Sequence, residues 1–398
     1  MLRLLHLADL HLGWLPRDLP PEVAETRRVA RDARLGEAVE LALSERVHAV
    51  LVVGDLFDDF APPADLVRYA REALGRLVAA GISVVTVPGN HDELTYATSV
   101  YRREAERWPG LLVRAPMPAA LGRIEAAGTT LHVHGVAYVG GVTDVANVLR
   151  ALPPRESEGR QLFLAHGTLR HGGGDASAGG ASARRANGAA GSNDVMSNDR
   201  SLPLPRAALA VAGYDYLALG HLHRPSEERL GGGLAVYPGC VGGKGFDDPG
   251  ARHWTLVTFT PGGPRVEQRP LRGQQLVDEH LDVSDCDHEG AVLEALAAVA
   301  GRHAGDLLRV RLTGALPAVL DPEDLATQCG GDTLYLRVED HTTAVSPALL
   351  DAWGASPTVR GAFVRRLQAR LDAAQDEDER ALVVRALRQG LAALEGER

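Results

Sequence analysis

The sequence predicts a layered α/β protein, followed by a smaller α/β unit and C-terminal helices. Over the first 270 residues, short aliphatic runs alternate with stretches of helical period, the pattern of a layered α/β core. Two of those runs, Ala49–Val53 and Ser83–Val87, end directly in Gly54-Asp55 and Pro88-Gly89, as parallel strands buried on both faces do. The composition, 45% hydrophobic and 24% charged over 398 residues, excludes a disordered, collagen-like or disulfide-stapled chain. The length implies two or three domains.

Leu4–Leu7 reads as a strand ending in Asp9-Leu10-His11. Residues 26–46 carry helical periodicity, and Pro62-Pro63 opens a second helix that Gly81 stops near Ala80. Further strands are expected at 130–135, 161–165, 215–219, 234–237 and 253–259, with a hairpin turn at the glycines 231–233. Residues 172–192 hold 17 Gly, Ala or Ser in 21 positions. That composition cannot offset its ordering entropy, so a mobile insert is expected over about 171–200. Beyond Pro270, residues 276–283, 288–302, 307–313 and 333–339 read strand, helix, strand, strand, and two amphipathic helices are expected at 358–373 and 377–394. The domain boundaries that follow are 1–270, 271–345 and 346–398.

Net charge is −10, with −9 of it on residues 271–398 and −1 on residues 1–270. A near-neutral first part, made locally positive by bound cations, leaves an anionic partner open. Cys240, Cys286 and Cys329 are far apart and form no C-x-x-C, which excludes a zinc knuckle and points to a reducing compartment. No charged start leads into an apolar h-region, and no apolar run reaches about 18 residues. A cytoplasmic protein that does not enter the membrane is therefore expected.

Five clusters fall at expected strand ends: Asp9-x-His11, Gly54-Asp55, Gly89-Asn90-His91-Asp92, His166-Gly167 and Gly220-His221-x-His223. Ligands of open α/β sheets bind beyond the carboxyl ends of strands, so these loops can converge on one crevice. In an extended segment residues two apart point the same way, which would aim Asp9 and His11 together and likewise His221 and His223. Carboxylate, imidazole and amide oxygen without thiolate suit Mn²⁺, Fe²⁺ or Zn²⁺. An H-x-H pair is weak evidence, with roughly 0.6 expected by chance, but Gly-Asn-His-Asp is expected only on the order of 0.0015 times.

The ordered set DLHLG (9–13), GDLFD (54–58), GNHD (89–92), AHG (165–167) and GHLH (220–223) resembles the calcineurin-like metallophosphoesterases. DLHLG followed by GDLFD is similar to the SbcD-type DNA repair exonucleases. LYLRVEDHT (334–342) resembles, less specifically, part of their capping domain. The resemblance implies a calcineurin-like α/β core with a small α/β capping domain and two divalent ions, Mn²⁺ foremost, with Fe²⁺, Zn²⁺ or Mg²⁺ as alternatives. One ion would be held by Asp9, His11, Asp55 and His223, the other by Asp55, Asn90, His166 and His221, with Asp55 bridging. His91 would protonate the leaving oxygen or stabilise the transition state, with Asp92 orienting its ring. The implied function is exonucleolytic or endonucleolytic cleavage of DNA by a metal-activated hydroxide, in repair, with an SMC-like coiled-coil ATPase of SbcC type. A homodimer is also suggested, although no heptad pattern accompanies it. Relatives from archaea and eukaryotes carry a second histidine three residues after the bridging aspartate; here that position is Asp58.

Other residues have plainer readings. His6 and the pair His132-x-His134 read as strand histidines, and Asp58-Asp59 as supports rather than ligands. Lys244, the single lysine, lies in Gly-Gly-Lys-Gly without the helix opening of a phosphate-binding loop, and reads as a turn residue. Arg224 stands open between a DNA phosphate contact and a surface arginine. The insert reads as a surface loop rather than a gate. The terminal helices read either as a pair packed on their own domain or as a docking surface for the ATPase. The rival functions are a phosphodiesterase or phosphomonoesterase of small nucleotides, and a weakly active DNA-anchoring component of an ATPase complex.

Overall fold

The computed structural model describes residues 1–143, 148, 152–170, 201–246, 248, 250, 252–286, 288–316, 320–343 and 347–395. The expected insert at 171–200 lies outside them. By density of contacts the chain divides into two compact units, Met1–Lys244 with Ala251–Arg272, and Gly245–Gly250 with Gly273–Arg398.

In the first unit the chain lays down β1 (Leu2–Leu7), β2 (Ala49–Val53), β3 (Ser83–Val87) and the short β4 (Leu111–Leu112) as parallel neighbours. It then forms β5 (Ala119–Ala126), β6 (Thr129–Gly135), β7 (Arg160–Arg170), β8 (Leu202–Pro205), β9 (Tyr216–Gly220), β10 (Ser226–Leu230) and β11 (Gly233–Tyr237). The hairpin β12 (His253–Thr260) and β13 (Gly263–Pro270) returns to the first sheet, where β12 runs antiparallel to β1. The two sheets have the orders β13-β12-β1-β2-β3-β4 and β10-β11-β9-β7-β6-β5, with β8 paired to β7.

One core cluster joins Leu4, Leu5 and Val50–Val53 of the first sheet to Leu162, Leu164, Tyr216 and Ala218 of the second, so the sheets are packed face to face. Helices α1 (Pro21–Ser44) and α2 (Ala64–Ala79) add Leu35, Val39, Leu74 and Leu77 to the same cluster. A second cluster, with Phe163, Leu217 and Leu219, takes Leu209 from the helix Arg206–Val211. All five residues of β2 and of β9 are buried, which is why their sequences read as unbroken apolar runs. Each fully buried leucine contributes about 1.5–3 kcal/mol of transfer free energy.

The second unit holds a three-stranded parallel sheet, β14 (Leu276–Asp282), β15 (Leu307–Thr313) and β16 (Tyr335–Asp340). Helix Glu289–Ala300 links the first two strands, and helix Pro322–Cys329 precedes the third. The latter helix is an addition to the expected strand-helix-strand-strand order. Asp321 caps it by accepting from the Glu323 and Asp324 N–H groups, and Pro322 sits in its first turn. Helices Pro347–Gly354, Val359–Ala373 and Glu377–Glu395 share a small core of Leu350, Val364, Leu367, Val383, Leu387 and Leu391. No helix among the described residues is long and apolar enough to cross a membrane.

Candidate metal centre

Loops leaving β1, β2, β3 and β9 and a residue inside β7 bring seven donor side chains together. The loops after β1 and β2 pair through their backbones: Asp9, His11 and Leu12 N–H donate to Gly54, Asp55 and Leu56 carbonyls at 3.1, 2.9 and 2.8 Å. This pairing sets Asp9 and His11 beside Asp55. Asp9 and His11 do not lie in an extended segment, because both have left-handed backbones, with φ of 54° and 48°. Asp55 (49°) and His221 (105°) share that feature. Non-glycine residues held there cost of order 1–3 kcal/mol each, and such residues cluster at functional sites.

His166 also differs from expectation, since β7 runs on to Arg170 rather than ending before it. The pairing of β7 with β9 stops at His166↔Gly220, and from Gly167 onward β7 pairs with β8 instead. His166 thus marks the rim of the second sheet without ending its own strand.

Two poles share Asp55. At the first, His11 Nε2 lies 3.2 Å from His223 Nε2 and 3.7 Å from Asp55 Oδ2, and Asp9, His11 and His223 offer donor atoms within 4.8 Å of one another. At the second, Asn90 Oδ1 is 3.0 Å from both His166 Nε2 and His221 Nδ1, and Asp55 Oδ2 is 3.3 Å from His166 Nε2. Asp9, Asp55 and His166 are likewise grouped. His221 N–H donates to both oxygens of Asp9 at 3.0 and 3.1 Å. His221 and His223 therefore face different poles of the one cavity.

The chemistry of this donor set fits cations. His166 Nδ1–H donates to the Val53 carbonyl at 3.0 Å, which leaves Nε2 as a lone pair in the neutral ring. That lone pair faces the Asn90 oxygen and the Asp55 carboxylate, so acceptors converge where a positive charge must enter. Burial works to lower the His166 pKa, but the neighbouring Asp55 carboxylate outweighs it and raises it, and the His166 ring in turn holds Asp55 below the usual carboxylate range against its own burial. Burial pushes Asp9 up to about 7 and, at the first pole, His11 down to about 4 and His223 to about 2. The neutral imidazole is the ligand form that a divalent ion requires, and a cation entering beside Asp9 would favour its carboxylate.

His91 stands at the rim, its side chain 37% exposed against 0–3% for His11, His166 and Asp55. Its N–H donates to Asp55 Oδ1 at 2.9 Å, and its Nδ1–H to the Asp58 carbonyl at 3.0 Å. The role expected for Asp92 needs correction here. Asp92 is fully buried and accepts from Gly89 N–H (2.7 Å), Phe57 N–H (3.2 Å) and Tyr101 Oη–H (2.8 Å). It ties the loops after β2 and β3 together, and Asp58 sits against the His91 ring instead. Burial first, then the charge of Asp55, raises Asp92 to about 6.

Asp58 also places Oδ1 3.1 Å from His11 Nδ1 and 3.1 Å from Lys244 Nζ. Lys244 is therefore part of the site rather than the plain turn residue its sequence context implies; a single lysine in a chain of arginines was the available signal. His6 bonds Tyr216 Oη (2.9 Å) and His134 meets Gln161 Oε1 (3.1 Å), while Arg224, next to His223, is exposed.

Residues 2–225 match the family model described as calcineurin-like phosphoesterase. The uncharacterised metallophosphoesterase YhaO of Bacillus subtilis (strain 168) is 23% identical over 298 residues, 74% of this chain and 66% of that protein. The DNA double-strand break repair protein Mre11 of Methanopyrus kandleri is 26% identical over 66% of this chain and 55% of its own. The SbcD component of the nuclease SbcCD from Rhodobacter capsulatus is 29% identical over 68% of this chain and 69% of its own. The chain thus spans about half to two thirds of the length of these relatives. The family match covers the strands and loops that carry all seven donors, and the chain belongs to the calcineurin-like phosphoesterase family.

Proposed function

We propose that the chain is a two-metal nuclease that hydrolyses phosphodiester bonds at DNA ends, acting in repair beside an SMC-like coiled-coil ATPase. The observation that carries the metal chemistry is the convergence of acceptor atoms on two poles sharing Asp55, with His91 half-exposed above them. Two divalent ions, Mn²⁺ foremost for an O/N donor set, supply Lewis acidity to a phosphate and lower the pKa of bound water. Asp9, His11, Asp55 and His223 hold one pole and Asp55, Asn90, His166 and His221 the other. His91, with Nδ1–H committed to the Asp58 carbonyl, presents Nε2 outward to exchange a proton with the leaving oxygen.

The name of the Rhodobacter relative supports a nuclease activity, and that of the Methanopyrus relative supports DNA as the substrate. So does the length of chain beyond the family match, which exceeds what a small phosphate ester needs. In this reading residues 271–345 form the capping domain, residues 346–398 form the helical segment that meets the ATPase, and the chain pairs as a homodimer.

The test is release of nucleotides from labelled duplex DNA with Mn²⁺, set against cyclic nucleotides and p-nitrophenyl phosphate. DNA turnover is expected to dominate. In His91→Ala it should fall by about 10²–10⁴-fold, while calorimetric binding of Mn²⁺ persists. Turnover of the small esters alone would sink the DNA reading, and undiminished cleavage by His91→Ala would sink the role of His91.

A further inference from the structure

Beside the two poles lies another group of possible ligands: His11, Asp58 and His91 offer donor atoms within 4.8 Å of one another. The Lys244 ammonium occupies that corner, 3.1 Å from Asp58 Oδ1. The lysine is delivered there by a braced turn. Arg27 Nη2 donates to the carbonyls of Gly242 and Gly243, Arg252 Nη1 to that of Cys240 (3.2 Å), and Gly243 takes a left-handed φ of 61°. Arg27 and Arg252 are themselves buried, so the turn has fixed support and the ammonium has a defined place, its side chain only 20% exposed.

The charges decide what this does. Asp58 Oδ1 lies 3.1 Å from both His11 Nδ1 and Lys244 Nζ, and 3.6 Å from His91 Nδ1. A carboxylate between two imidazoles offers a divalent ion the same ligand types as the neighbouring poles. Its His91 ligand would then no longer be available at the rim. An ammonium on the same oxygen supplies the positive charge instead, without an empty orbital to accept the imidazoles.

Resting on the two-metal reading, we infer that Lys244 is a positioning residue that acts as a resident cation at the His11–Asp58–His91 corner. It keeps Asp58 turned to the two rings and keeps a further divalent ion off His91.

The experiment compares the metal-stripped full chain with Lys244→Met, Lys244→Arg and Lys244→Met/Asp58→Asn. Mn²⁺ stoichiometry is read by calorimetry, ring-nitrogen signals of His91 by NMR, and kcat and KM on labelled duplex DNA. Lys244→Met is expected to bind one equivalent of Mn²⁺ more than the parent, to shift the His91 signals on Mn²⁺ addition, and to lose roughly tenfold in kcat with KM little changed. Lys244→Arg should keep the parent stoichiometry and most of kcat. The double variant should lose the extra equivalent, because the anionic ligand of the corner is gone. Parent stoichiometry and parent His91 signals in Lys244→Met would overturn the inference. So would a rise in KM at unchanged kcat, which marks a direct substrate contact. If the parent binds no Mn²⁺, the two-metal reading fails by itself. The inference is then decided by whether Lys244→Met gains an equivalent over zero.

Discussion

A buried imidazole reports on its surroundings through pH, and His6 is the cleanest case because it lies outside the cation poles. Burial pushes its pKa down to about 3, against a backbone hydrogen bond with Leu219 that works to raise it. The folded value lies below the unfolded one, so the unfolded chain takes up the proton first as pH falls. The stability from a neutral His6 is therefore complete above about pH 6.5 and is lost progressively toward pH 3. Between pH 7.5 and 5.5 the parent should lose about 1.4 kcal/mol more than His6→Gln. Urea unfolding of the metal-free proteins at the two pH values measures this. Equal losses would show that His6 titrates normally in the fold. That His6 is a packed strand residue was legible from its place on β1, but its Tyr216 partner, 210 positions away, was not.

At the scale of elements, the centre depends on three strand ends closing to near contact. A Cβ on Gly220, the last residue of β9, would collide with the Val53 carbonyl and sit 2.8 Å from His166 Nδ1. Gly89 faces Asp55 in the same way. Glycine is required there by close approach, at backbone angles other residues could adopt. Gly220→Ala should force β9 away from β2 and displace His166 from Val53, at a cost of about 1–3 kcal/mol. Thermal denaturation and Mn²⁺ calorimetry together test it; unchanged melting and unchanged Mn²⁺ affinity would refute the packing argument. Helices α1 and α2 were legible from their period and from Pro62-Pro63 and Gly81. The first turn of α1, Pro21–Glu25, was not, and neither was the burial of Arg27, Arg31 and Arg34 on a helix where an apolar stripe is the rule. Arg31 Nη2 donates to the Leu10 carbonyl at 3.1 Å, and Asp32 accepts from Gly13 N–H at 2.8 Å. This end of the helix is shaped to hold a loop of the site.

For the whole molecule, burying Asp9, Asp55 and a ring of imidazoles makes folding dependent on a positive charge at the centre. A ligand that binds only the folded state stabilises it in proportion to the logarithm of its concentration, about 2.7 kcal/mol at a hundred times its Kd. Mn²⁺ should raise the melting temperature of the chelator-treated protein, and EDTA should reverse the shift. Asp55→Asn, which removes the charge shared by both poles, should abolish it. A full Mn²⁺-dependent shift in Asp55→Asn would show that the cations bind elsewhere.

The order of the motifs, the apolar strands that carry them and the chemistry of the donor set were determined by sequence alone. Each depends on residue type and on neighbours within a few positions, which one-dimensional periodicity records. Tertiary structure decided which atoms face which: Asp58 rather than Asp92 at the His91 ring, Lys244 at Asp58, and His166 inside a strand that continues because β8 joins it. Such pairings depend on registers between segments separated by tens to hundreds of residues, and only packing the two sheets together sets them.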